Sequence, residues 1–146
     1  MADQGSCSCC GTTRLLLACA GGANVGQMTN EVAKLLHAEG EGRMFCLAGV
    51  GGHVPGMVAS VKGADRVLVL DGCALACARR CMEQAGIEVF EHLVVTELGI
   101  EKQMEHELAA ADLEMVANAA RQKLRTPVCG QTKAFKDDEA QSGCCS

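Results

Sequence analysis

Short apolar runs alternate along this chain with longer segments in which apolar positions recur every three or four residues. Four runs read as buried strands: Arg14 to Cys19 (RLLLAC), Arg43 to Leu47 (RMFCL), Arg66 to Leu70 (RVLVL) and His92 to Thr96 (HLVVT). Between them, Val25, Met28, Val32, Leu35 and Leu36 form one helical stripe, with Asn24 as its N-cap and Gly40 as its stop. A shorter helix is expected from Pro55 to about Lys62, and a third from near Cys73 to Gly86. The segment from Ile100 to Leu124 is helical in pattern, with Asp112 placed to cap a second part of it. Four alternations of strand and helix predict an α/β, three-layer, Rossmann-like or flavodoxin-like fold around a mainly parallel four-stranded sheet.

Composition narrows this further. At 146 residues, 49% of them apolar, the chain is sized for one domain. The patterned part spans 14–125, between a Cys-rich, flexible tail at 1–13 and a loose polar extension at 126–146. With three Phe and no Trp or Tyr, the core has to be aliphatic. A net charge of −5, with both signs mixed along the chain, leaves no basic stripe for nucleic acid. No apolar run reaches the roughly 18 residues of a membrane span. Leu16 to Cys19 mimics a lipoprotein cleavage box, but the segment before it lacks the apolar stretch of a signal peptide. The eleven cysteines sit in a chain too long and too regularly patterned to need disulfide staples, so reduced thiols in a cytoplasmic protein are expected.

Those thiols carry the candidate chemistry. Cys19, Cys46 and Cys73 lie 27 residues apart, about one strand-helix unit, and each falls at or just past a strand end. Ligands of an open parallel sheet gather there. If the third helix starts at Cys73, then Cys77 is its i+4 neighbour on one face, and four thiolates can converge on one tetrahedral zinc ion. The helix N-terminus, Arg79 and Arg80 would offset their charge. Any one cysteine at a strand end is more often a small core residue, and the convergence of four is what favours a metal site. Cys81, two turns beyond Cys73, reads as core; it and His53 are the substitutes for a missing ligand. A site of thiols alone resembles a closed structural or storage centre more than a catalytic one, which points to a binding or regulatory protein rather than an enzyme. Beyond the metal ion, no protein partner is legible.

The segments ACAGGANVGQ, CLAGVGG, VLVLDGCALACARRC and HLVVTELGIEK, in that order, resemble the DGC-domain family, taken to bind zinc and named for the triplet standing here at Asp71, Gly72 and Cys73. The resemblance covers about 14–125. It implies a zinc site from cysteines that map onto Cys19, Cys46, Cys73 and Cys77, and it assigns no molecular role.

Other chemistries fit less well. The loop CAGGANVGQ invites comparison with the oxyanion loop of low-molecular-weight tyrosine phosphatases and related arsenate reductases, but Val25 stands where those loops carry their clamping Arg. The glycines at 21, 22, 49, 51 and 52 are not spaced as G-x-G-x-x-G. The stronger alternative is a thiol redox enzyme using Cys73 with a neighbouring cysteine, although the spacing is C-x3-C and not C-x-x-C.

Overall fold

A computed structural model of the chain describes residues 12–126. The N-terminal tail up to residue 11 and the extension from 127 onward lie outside the described residues. Four strands, β1 (Arg14–Ala18), β2 (Arg43–Met44), β3 (Arg66–Asp71) and β4 (Glu91–Val94), form one sheet in the order β2-β1-β3-β4. All three pairings are parallel. This is the order of the first four strands of a flavodoxin-type sheet, with the topological switch between β1 and β3.

The two central strands are apolar throughout because both faces are covered. Alternation sends Leu16, Ala18, Leu68 and Leu70 to one side and Leu15, Leu17, Val67 and Val69 to the other. On the first side lie α1 (Asn24–Ala38) and α5 (Ala110–Arg125), which bury Met28, Val32 and Leu36, and Val116, Ala120 and Leu124. The second side is covered by α2 (Leu47–Gly51), α3 (Pro55–Gly63) and α4 (Cys77–Gln84), through Val50, Val61, Ala78 and Met82. Among the described residues no helix is long and apolar enough to cross a membrane.

Four local expectations are corrected. The second strand ends at Met44 and not Leu47: it is an edge strand held only through Leu15 and Leu16, and the chain turns at Cys46 into α2, a short helix that periodicity did not reveal. Residues 99–109 are not helical but form an irregular strap that covers the start of α1. Asn24 N donates to Gln103 O at 2.9 Å, the Asn24 side chain bonds Glu101 O at 3.0 Å and Gln103 N at 2.7 Å, and His106 Nε2 meets Gly22 O at 2.7 Å. The three bonds with Asn24 use strap backbone groups that a helix would have kept for itself. Asn24 is accordingly the first residue of α1 and not its cap; the capping position is Ala23, which offers no side-chain bond. Finally, the third expected helix starts at Cys77 and not near Cys73.

Candidate thiol centre at the carboxyl edge of the sheet

The edge where the strands end is assembled by backbone contact before any side chain matters. Cys19 N donates to Leu70 O at 2.9 Å, which carries the β1 and β3 pairing past the last residue of β1, and Thr96 N reaches Gly72 O at 3.1 Å on the other flank. A Cβ on Gly72 would sit 2.7 Å from Gly26 N, and one on Gly26 would sit 2.6 Å from Gly21 O. The loop after β1, the first turn of α1 and the turn after β3 therefore touch main chain to main chain, which only glycine permits. This is the physical reason for glycine in the Asp-Gly-Cys triplet.

Asp71 is 1% exposed, yet fully engaged. Its carboxylate accepts from Ala78 N at 2.8 Å, Arg79 N at 3.0 Å and His92 Nε2 at 2.8 Å. From the end of β3 it does what an N-cap does, satisfying free N–H groups in the first turn of α4 and complementing the helix dipole. His92, the second residue of β4, is half-buried as the other partner of Asp71. The only signal for it was its place at the start of a strand next to β3.

Strand order sets the spatial sequence of the thiols: Cys46 beside the end of β1, Cys19 at that end, and Cys73 just past β3. All five described cysteines are free. Each sulfur also has a local neighbour. Thr29 Oγ1 gives its proton to Gly26 O at 2.6 Å, so the half-buried Cys19 thiol, 3.6 Å away, is the donor to Thr29. Cys46 is exposed, and its Sγ accepts from Gly49 N at 3.4 Å, capping α2. Lys102 Nζ, on the strap, lies 3.5 Å from Cys73 Sγ. Cys77 opens α4 and is exposed. Cys81 lies one turn further, facing α2 so closely that a Cβ on Gly51 would come within 3.2 Å of its sulfur. Burial, then the Cys77 thiol, then the Asp71 carboxylate push the Cys81 thiol up from its ordinary value.

Because α4 begins at Cys77, the pair sharing a helix face is Cys77 and Cys81; Cys73 belongs to the preceding turn, where its carbonyl accepts from Ala76 N at 3.0 Å. Cys73 packs against the cluster under α1 and α5, whereas Cys19 packs against the opposite cluster. Among the described residues, no three or more His, Cys, Asp or Glu side chains are grouped so as to hold a metal ion. In chemical kind the donors suit a soft metal: free thiols from three adjacent loops at the switch point. Their sulfurs would have to leave Thr29, Gly49 and Lys102 to meet. His53 is exposed, in the loop between α2 and α3.

Of the three left-handed non-glycine residues among those described, two lie at the same edge and the third, His53, is in the loop between α2 and α3. Ala20, directly after Cys19, has φ 48°, and Ala76, directly before Cys77, has φ 51°. Alanine pays roughly 1–2 kcal/mol to sit in this left-handed region. Such residues cluster where a ligand or switch fixes the chain. A cleft of about 710 Å³ lies elsewhere, between α1, the strap and α5, lined by Met28, Ile100, Glu107, Asp112 and Met115 among others and by none of the five thiols.

Residues 15–120 match the model of the DGC domain. Over 100 residues the chain is 36% identical to the anaerobic and virulence modulator AnvM of Pseudomonas aeruginosa, a stretch covering 68% of this chain and 76% of that relative. No solved structure matches it.

Proposed function

The chain belongs to the DGC domain family, and we propose that it is a zinc-binding protein with a structural, storage or sensing role, its ligands being Cys19, Cys46, Cys73 and Cys77. One observation carries this reading: the register β2-β1-β3 sets three of those cysteines in neighbouring loops at the switch point, although they are distant in sequence. The left-handed alanines beside Cys19 and Cys77 support it as well, since they put strain at two of the same loops. When bound, zinc would supply a tetrahedral cross-link closed to substrate. The chain's own residues hold the thiols ready: Gly72 and Gly26 keep two of the loops in contact, and Asp71 fixes the start of α4 and with it Cys77. Lys102 sets a positive charge beside Cys73. The name of the Pseudomonas relative describes a modulator, which favours sensing over storage.

Elemental analysis of anaerobically purified, reduced protein tests the reading. About one zinc per chain is expected, falling on Cys→Ser replacement at 19, 46, 73 or 77 and not at 81. Protein that carries no metal and takes none up would overturn it.

A second reading, a thiol redox enzyme using Cys73 with a neighbouring cysteine, draws on the Lys102 ammonium 3.5 Å from that sulfur, the environment of nucleophilic cysteines. It requires turnover of a disulfide substrate by metal-free protein, abolished by Cys73→Ser.

A further inference from the structure

Cys77 and Cys81 form a thiol pair of which the zinc reading uses only Cys77. They occupy the first and fifth positions of α4, on one face, with Cys77 open to solvent and Cys81 half-buried against Gly51. At this spacing their Cβ atoms are about 6 Å apart. A disulfide requires about 3.8 Å, so the pair cannot oxidise internally without unwinding the first turn of the helix. That turn is held by Asp71 through Ala78 N and Arg79 N, at 2.8 and 3.0 Å. A separation too long for a direct S–S bond suits a bridge of one thiophilic atom, which adds two bonds of about 2.3 Å if they resemble zinc-thiolate bonds. The two sulfurs already influence each other electrostatically, Cys77 being one of the causes that push the Cys81 thiol up.

We propose that Cys77 and Cys81 are a capture site for monosubstituted trivalent arsenicals, which bridge the two sulfurs through arsenic. In the reaction, R–As(OH)2 loses two As–O bonds and gains two As–S bonds. Each thiol proton leaves with a hydroxide as water, two waters in all, and nothing is oxidised or reduced. The organic substituent projects on the solvent side, where Cys77 is exposed. The site shares Cys77 with the proposed zinc set but requires neither Cys19, Cys46 nor Cys73.

The chain provides its own diagnostic. Trypsin cuts after Arg66, Arg79, Arg80 and Lys102, so Cys73 and Cys77 stay together on 67–79 while Cys81 falls on 81–102. Reduced, metal-free full-length protein is treated with one equivalent of phenylarsine oxide, its remaining thiols are alkylated, and the non-reducing digest is weighed by mass spectrometry. The expected product is peptide 67–79 joined to 81–102 by one phenylarsenic group. It should persist in Cys73→Ser, which removes a proposed zinc ligand, and vanish in Cys81→Ser, which does not. Arsenic confined to 67–79, or found only on cysteines outside α4, would overturn the assignment and leave the zinc reading standing. Loss of zinc binding with the cross-link intact would do the reverse.

Discussion

On one face of the sheet lie α1 and α5, of 15 and 16 residues; on the other lie α2, α3 and α4, of 5, 9 and 8. The long pair buries continuous stripes, with Val25, Met28, Val32 and Leu36 on α1 alone. By contrast, α3 buries only Val61, and α4 only Ala78 and Met82. Helices this short do not stand by themselves in water. They are also held by specific devices: the Cys46 sulfur on Gly49 N, the Asp71 carboxylate on Ala78 and Arg79, and Gly51 against Cys81. Apolar area stabilises both faces, but on the second the helices contribute less of it, and polar and sulfur contacts around exposed or half-buried thiols add to their support. Where the helices bury less, the chain can carry reactive groups at modest cost to the fold.

The contrast breaks most readily at Leu36, which is fully buried on the long-helix face. Leu36→Ala should lower unfolding free energy by about 2–5 kcal/mol, read from urea denaturation of reduced protein. A matched pair sharpens it: Val32→Ala on α1 should cost more than Val61→Ala on α3, because the short helix can settle into the space. Equal costs for the two valines would remove the distinction between the faces.

The faces meet at the thiol edge, and glycine decides the next effect. Gly72→Ala would drive a methyl to 2.7 Å from Gly26 N, whereas a methyl on Gly22, two residues before α1, would meet nothing within 4 Å. The first change should cost about 1–3 kcal/mol as overpacking against main chain, the second close to nothing. Thermal unfolding of the two variants side by side is the check, and a harmless Gly72→Ala would mean the loops are not in backbone contact.

How legible this was follows from the same division. The central strands and α1 could be read directly, since two-sided burial and a long 3.6-residue stripe both write themselves into the sequence. Three features could not. The stretch from Phe45 to Leu47 looks like continued strand, and only the one-sided pairing of β2 to β1 shows why the chain turns into α2. Ile100, Met104 and Leu108 repeat at helical spacing, yet hydrogen bonds with Asn24 hold that segment out of a helix. The onset of α4 was misplaced by four residues because its cap is Asp71, reaching in from a strand six residues earlier, and not a neighbour of Cys77. For the centre itself, spacing put Cys19, Cys46 and Cys73 at or just past strand ends, where the fold also has them. Which cysteines share a helix face depends on that displaced start.

The smallest effect comes from Cys81, where two of the supports of the second face, sulfur and carboxylate, act on each other. Burial first, then Cys77 and Asp71, hold its thiol above the ordinary value of 9.0 in the folded protein. As pH rises past that value, Cys81 of the unfolded chain loses its proton while the folded one keeps it. The native state then binds more protons, so stability falls with rising pH until the folded thiol ionises as well. Cys81→Ser removes this component without removing the other groups that titrate in the same range. The urea midpoint of metal-free wild type should therefore decline more steeply than that of Cys81→Ser between about pH 8 and 10, the interval around the ordinary thiol range. Adding Asp71→Asn to wild type should flatten the decline only in part, because the carboxylate is the last of the three causes and burial the first. Identical slopes for wild type and Cys81→Ser would mean that this sulfur is as well solvated as in the unfolded chain, and the short-helix face would lose its claim to a buried thiol.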